Sequence, residues 1–209
     1  MAFPVSKGAI LVFSKDGVIF HSDQVKLNVY EELFSDHPAH REAIHDYNIK
    51  SVGLPPKMKF MHICGNILKM DKAEEKVAHY LHLTEMYLNL KLKQAPLVEG
   101  VREFINRHQE NTKFVCSDAN VEEIEEQLKY SNLRADFKEV YGYPHEKRDI
   151  LFSIKGRFEQ EIIFFGDSIN DWNAATEAGV QFIGIDASDH HNPLRGEPVH
   201  LVGSFDELM

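Results

Sequence analysis

Hydrophobic and polar positions along this chain follow two regimes. Residues 9–13 form an unbroken apolar run, the signature of a strand buried on both faces. The run stops at a polar turn, Ser14-Lys15-Asp16-Gly17, and an apolar trio, Val18-Ile19-Phe20, follows. From Asp23 to about Gln94 the spacing is helical and no strand stands out. Residues 24–34 carry Val25, Val29, Leu33 and Phe34 on one side. Pro38 suits the first turn of a second helix reaching about Tyr47, and 52–56 (VGLPP) break it. A short helix is expected over 60–70. Asp71 is expected to cap a long helix to about Leu92, with Val77, Tyr80, Leu81, Thr84, Leu88 and Leu92 as its apolar stripe.

Beyond Ala95-Pro96 strands and helices alternate. Helices are expected over 99–108, 121–130, 148–155 and 171–178, and strands over 113–116, 137–141, 161–165, 181–185 and 199–202. Such alternation argues for an α/β protein, a Rossmann-like parallel sheet covered on both faces. The domain expectation is a core of 1–21 and 95–209, with 22–94 inserted as a helical cap. The insertion would leave and rejoin the core near the strand tips, where open α/β sheets bind their ligands.

Composition narrows the function classes. Acidic residues outnumber basic ones 33 to 23, a net charge of −10, which argues against a nucleic-acid groove. Two distant cysteines, Cys64 and Cys116, indicate no disulfide framework, and a cytoplasmic setting is expected. The N-terminal MAFPVSKG does not read as a signal peptide. No apolar run approaches the ~20 residues of a membrane span.

Four loops should meet at the strand tips. The first is Ser14-Lys15-Asp16. The second is Ser117-Asp118-Ala119-Asn120 after KFVC, where the Ser117 hydroxyl and the next backbone N–H suit a phosphoryl oxygen; a plain helix cap is the bland alternative. The third is Lys147 in YPHEKRDIL, with Arg148 as a competitor and a solvated surface lysine as the ordinary reading. The fourth is IIFFGDSIND, which sets Asp167 and Asp171 four residues apart at a strand tip. Paired carboxylates there suit a cation such as Mg²⁺; the alternative is that Asp171 only caps the next helix.

These stretches resemble the four motifs of the haloacid dehalogenase superfamily. Phe13, Asp16, Gly17 and Val18 match its first motif, Ser117 its second, Lys147 its third, and GDSIND with the following AATEAGVQFIGI its fourth. Residues 95–101 (APLVEGV) and 203–208 (GSFDEL) also look like the family's return from cap to core and its common ending. The position of the insertion resembles the phosphoglycolate-phosphatase and β-phosphoglucomutase branch.

The resemblance implies an aspartyl-phosphate mechanism. An aspartate at position 14 would be the nucleophile, Asp16 the acid/base, Lys147 a charge neutraliser, and Asp16, Asp167 and Asp171 the Mg²⁺ site. Ser117, Asp118 and Lys147 would hold substrate. Position 14, however, is Ser14, a poor nucleophile unless a base activates it, with Asp16 two residues on as the candidate base, and a neutral, weaker ligand where an anionic one is implied. Position 21 also departs, with His21-Ser22 where the family often has Asp before Ser.

Three readings follow: a pseudoenzyme that binds a small phosphorylated molecule or a protein partner, an active Mg²⁺ phosphomonoester hydrolase using another route, or an inactivated variant. A phosphonatase-type route would add a cap lysine, with Lys26, Lys50, Lys57 and Lys59 as candidates. His79 and His82 with Glu75 and Glu85, and likewise His37, His40, His45, His190 and His191, read as solvated polar positions rather than metal ligands. Cys116 reads as a buried, inert thiol. Met58, Phe60, Met61 and Met86 offer two readings, residues that line the cap's inner face and set specificity or, the ordinary one, residues packed in the cap core.

Overall fold

The computed structural model describes residues 5–51, 54–187 and 192–209. The break expected at Val52-Gly53 and the pair His190 and His191 lie outside the described residues. The chain divides into two compact units, Met1–Ser22 with Lys93–Met209, and Asp23–Leu92.

The first strand, β1 (Ile10–Phe13), is followed by the helices α1 (Ser22–Leu33), α2 (Arg41–Lys50), α3 (Pro56–His62) and α4 (Ala73–Lys91). Nearly all of this stretch is the second unit, and no strand occurs among its described residues. Its core is aromatic: the Phe34 and Tyr80 rings lie 4.4 Å apart and Tyr30 and Phe60 5.5 Å, joined by Ile44, Ile63, Cys64 and Val77.

Several local expectations for this unit need correction. The turn at Pro38 is a short 3₁₀ segment, Pro38–His40, ahead of α2. The helix expected over 60–70 starts earlier, at Pro56, and widens into a π turn over Ile63–Ile67 that contains Gly65. Asp71 does not cap α4. The chain enters that helix through Lys72 in the left-handed conformation, φ 54°, with no side-chain cap. Of the four residues assigned to the cap core only Phe60 is buried; Met58, Met61 and Met86 are exposed.

After the insertion come α5 (Val101–Arg107), β2 (Lys113–Asn120), α6 (Val121–Tyr130), β3 (Glu139–Tyr143), α7 (Lys147–Arg157), β4 (Ile162–Gly166), α8 (Ile169–Ala178), β5 (Gln181–Ile185) and β6 (His200–Val202). The six strands pair in parallel in the order β3-β2-β1-β4-β5-β6. Alternate residues serve opposite faces. Ile10, Val12, Phe114, Cys116, Ile162 and Phe164 pack against Ile150, Leu151 and Ile154 of α7 and Ala174, Ala175 and Ala178 of α8. On the other face the Phe13 ring stacks 4.8 Å from Phe165 and meets Phe104, Phe137 and Phe205. Burial on both faces is why β1 and β4 read as solid apolar runs rather than as alternation.

The sheet grows to one side of β1 through β2 and β3, then to the other through β4 to β6. The strand order therefore reverses at β1, and the crevice beyond its carboxyl end is the natural ligand site of this architecture. Val18, Ile19 and Phe20 are buried but form a turn rather than a strand. Phe20 pairs with Leu97 by an antiparallel bridge, and Val98 N–H donates to the Ile19 carbonyl at 3.0 Å. The segments that leave and rejoin the core thus run side by side.

Candidate active site

The site is assembled by the exits of β1, β2 and β4 and by the first turn of α7. Ser14 is the first residue past β1, and its N–H donates to the Phe165 carbonyl at 2.8 Å, which locks it beside β4. Its side chain is buried. Gly17 then reverses the chain at φ +69°, and a Cβ placed there would lie 2.0 Å from Asp167 Oδ2. The missing side chain is what lets the β1 exit close over the Asp167 carboxylate. Gly166 serves the same purpose one strand over, since its Cβ would lie 2.4 Å from that of Asp171.

Lys147 is the centre of the charged network. It opens α7, where the positive end of the helix disfavours a cation, and it is buried. Its Nζ compensates by donating to Asp171 Oδ1 at 2.7 Å and Ser14 Oγ at 3.4 Å, and it pairs with Asp118 Oδ2 at 2.9 Å. Burial pulls the ammonium pKa down, but the charges and hydrogen bonds of Asp171 and Asp118 outweigh it. The group therefore titrates above the ordinary lysine value. Arg148 points elsewhere: it is exposed and pairs with Asp149 and Glu177.

Asp171 is fully buried and serves two ends. Its Oδ2 accepts from Ser168 Oγ at 2.7 Å and from the N–H groups of Asp167 and Ser168, while its own N–H donates to Ser168 Oγ, the reciprocal capping box of α8. It is thus a helix cap and the counter-ion of Lys147 at once. Ser117 is buried near the end of β2, and its Oγ accepts from the Ala119 N–H at 3.2 Å, which leaves its own hydroxyl proton to donate. The neighbouring Cys116 thiol is pushed up by burial and stays protonated.

Lys15 makes a second charged cluster, one residue past Ser14. Its side chain is fully buried, bonded to Glu123 of α6 and 3.3 Å from Asp16 Oδ1. Glu123 lies 108 residues away in sequence, so no local pattern reveals the pair. The carboxylate of Asp118 was unforeseen, since only its backbone N–H had an expected role.

Among the described residues no group of three or more His, Cys, Asp and Glu is placed to hold a metal. Asp171 is bonded to Lys147 and to the α8 cap; Asp16 and Asp167, at the exits of β1 and β4, are the other carboxylates of the expected cation site. That donor set fits Mg²⁺, which takes one or two protein carboxylates and completes its shell with waters and phosphate oxygens. His79 and His82 are exposed on α4. Of the four lysines a phosphonatase-type route would consider, only Lys59 is buried. Its Nζ lies 5.1 Å from the centre of the Tyr30 ring, and burial pulls its pKa down.

Comparison with known proteins places this geometry. A family model described as haloacid dehalogenase-like hydrolase matches residues 11–185. No curated protein matches. Solved structures match over nearly the whole chain. A HAD family hydrolase from Deinococcus radiodurans R1, with bound phosphate and sodium, is 15% identical with a TM-score of 0.76, covering 97% of this chain and 94% of its own. A protein described as a predicted phosphoglycolate phosphatase from Haemophilus somnus 129PT is 16% identical with a TM-score of 0.74, covering 98% and 97%. The Bacillus subtilis HAD-hydrolase YfnB, bound to magnesium, is 16% identical with a TM-score of 0.67, covering 97% of each chain. At such identities these likenesses speak for the fold. Among the described residues no helix is long and apolar enough to cross a membrane.

Proposed function

This chain belongs to the haloacid dehalogenase-like hydrolase family, and from that premise we propose that its core is a phosphatase-type site for a small phosphorylated molecule, held back from ordinary turnover by Ser14. The observation that carries the reading is the contact of Ser14 Oγ with Lys147 Nζ at 3.4 Å, in a cluster of charged and polar side chains otherwise suited to a phosphoryl group.

The residues divide the work as follows. The Lys147 ammonium, the Ser117 hydroxyl and the backbone N–H of Asp118 bind phosphoryl oxygens. Asp171 keeps Lys147 charged and aimed. Asp167 and Asp16 would hold Mg²⁺, which supplies Lewis-acid stabilisation of charge on the phosphoryl oxygens. Asp16 is the group available to give or take a proton.

Ser14 limits the chemistry for three reasons. The Lys147 N–H occupies one of its lone pairs. Lys147, the side chain in contact with the Ser14 hydroxyl, is held protonated and cannot take its proton, which leaves Asp16 as the base. Any phosphoserine formed would have to expel an alkoxide, a poorer leaving group than the carboxylate of an acyl phosphate.

The test is an assay of the protein against phosphate monoesters and acyl phosphates, with Mg²⁺ and with chelator, beside thermal melts in inorganic phosphate. Negligible turnover is expected, with a melting temperature raised only at high concentrations of phosphate. Rapid turnover abolished by Ser14→Ala would make Ser14 a working nucleophile and overturn the reading.

A further inference from the structure

Lys147 has three N–H donors, and three oxygens surround them. They are Asp171 Oδ1 at 2.7 Å, Asp118 Oδ2 at 2.9 Å and Ser14 Oγ at 3.4 Å. The ammonium is thus saturated from within the chain. An incoming phosphoryl oxygen has to displace one of the three.

The three partners are unequally held. Asp171 is fully buried and tied to the cap of α8, so moving it would cost that cap as well. Ser14 is buried and fixed by its N–H bond to Phe165. Asp118 differs: its side chain is 63% exposed. The backbone beneath it lies where the β2–β3 register shifts, between Cys116 and Asn120. Rotation of the Asp118 side chain into water restores its hydration and frees one Lys147 donor on the open side.

We propose that the Asp118 carboxylate is a built-in competitor for the anion site, occupying the Lys147 donor that a ligand's phosphoryl oxygen needs. The inference rests on the phosphate-site reading above. It adds that the site is closed at rest to weakly held anions. A ligand has to bring enough binding energy to turn Asp118 out, which inorganic phosphate does poorly and a larger phosphorylated molecule with further contacts does better.

Titration of inorganic phosphate into the folded full chain, followed by calorimetry, tests this with four proteins: the parent, Asp118→Ala, Glu146→Gln and Lys147→Met. Asp118 is exposed and caps no helix, so its alanine variant should fold. Glu146 adjoins Lys147 in sequence, is exposed, and pairs with Arg148. Its change removes one negative charge without touching the ammonium. Expected is binding tightened about tenfold in Asp118→Ala, little change in Glu146→Gln, and loss in Lys147→Met.

Two results would overturn the competitor role while leaving the phosphate site standing. One is a parent that binds phosphate through Lys147 with an unchanged constant in Asp118→Ala. The other is an equal gain in Glu146→Gln, which would mean net charge rather than direct competition. Absence of binding in both the parent and Asp118→Ala would overturn the phosphate-site reading and the competitor with it.

Discussion

Lys147→Met is the perturbation whose cost the structure sets most directly. Lys147 and Asp171 form a buried pair at 2.7 Å, and Asp171 has no exposed surface. Removing one partner of such a pair leaves an uncompensated buried charge and costs about 3–5 kcal/mol. Here Asp171 keeps the Ser168 hydroxyl and two backbone N–H donors, which places the loss at the lower end, about 3 kcal/mol. The pair with Asp118 adds little, because that carboxylate is largely solvated.

Trp172 is the only tryptophan and follows Asp171 on α8, so its fluorescence reports unfolding of the core around the pair. With a urea slope of about 2 kcal/mol per molar, the midpoint should fall by about 1.5 M. A cycle with Asp171→Asn and the double variant should return a coupling of about 2–3 kcal/mol. A midpoint shift below about 0.5 M, or a coupling near zero, would show that the ammonium does not hold the buried carboxylate. The electrostatic description of the site would then be wrong.

Other expectations are as specific. Gly17→Ala forces an L residue into a left-handed turn and drives its Cβ into Asp167 Oδ2; stability should drop by about 1–2 kcal/mol, and calorimetric Mg²⁺ affinity should fall. Unchanged affinity would mean that Asp167 is not a ligand. Hydrogen bonds from Arg157 and then Tyr141 hold Glu139 down at about 2, against an ordinary value of 4.5. Because the folded-state pKa is depressed, this contribution is complete above the ordinary value and is lost as pH falls toward about 2. Both side chains are more than a third exposed, so solvent screening keeps the contribution small, and thermal melts across the acid range should show a shallower loss in Glu139→Gln. An identical acid limb in both proteins would refute it.

The parts of this architecture legible in the sequence are those fixed by local pattern. The solid apolar runs at β1 and β4 and the periodicity of α6 follow from burial on both faces or on one. GDSIND announces a strand exit because Gly166 and Ser168 do local work there, one admitting Asp171 and the other capping α8. Non-local pairings leave no such trace. Lys15 with Glu123, and Lys147 with Asp118 and Asp171, are made by the crossovers of the sheet, and neither spacing nor composition reveals them. The extension of β2 to Asn120 was hidden for a related reason: SDAN reads as turn and cap residues, yet the strand continues through a register shift beside β3. In the helical insertion Lys72 adopts a left-handed entry to α4 that a capping rule based on Asp71 does not anticipate.

On the function proposed above, one carboxylate separates this site from turnover. Ser14→Asp would restore an anionic nucleophile and a further Mg²⁺ ligand in a single change, at a position whose backbone is already pinned beside β4. The direct measurement is phosphate release from a panel of phosphomonoesters and acyl phosphates by the parent and by Ser14→Asp, each with Mg²⁺ and with chelator. The expected result is a silent parent and Mg²⁺-dependent turnover in the variant. A parent that turns over rapidly, or a folded Ser14→Asp that binds phosphate and Mg²⁺ yet releases no product from any substrate, would contradict it.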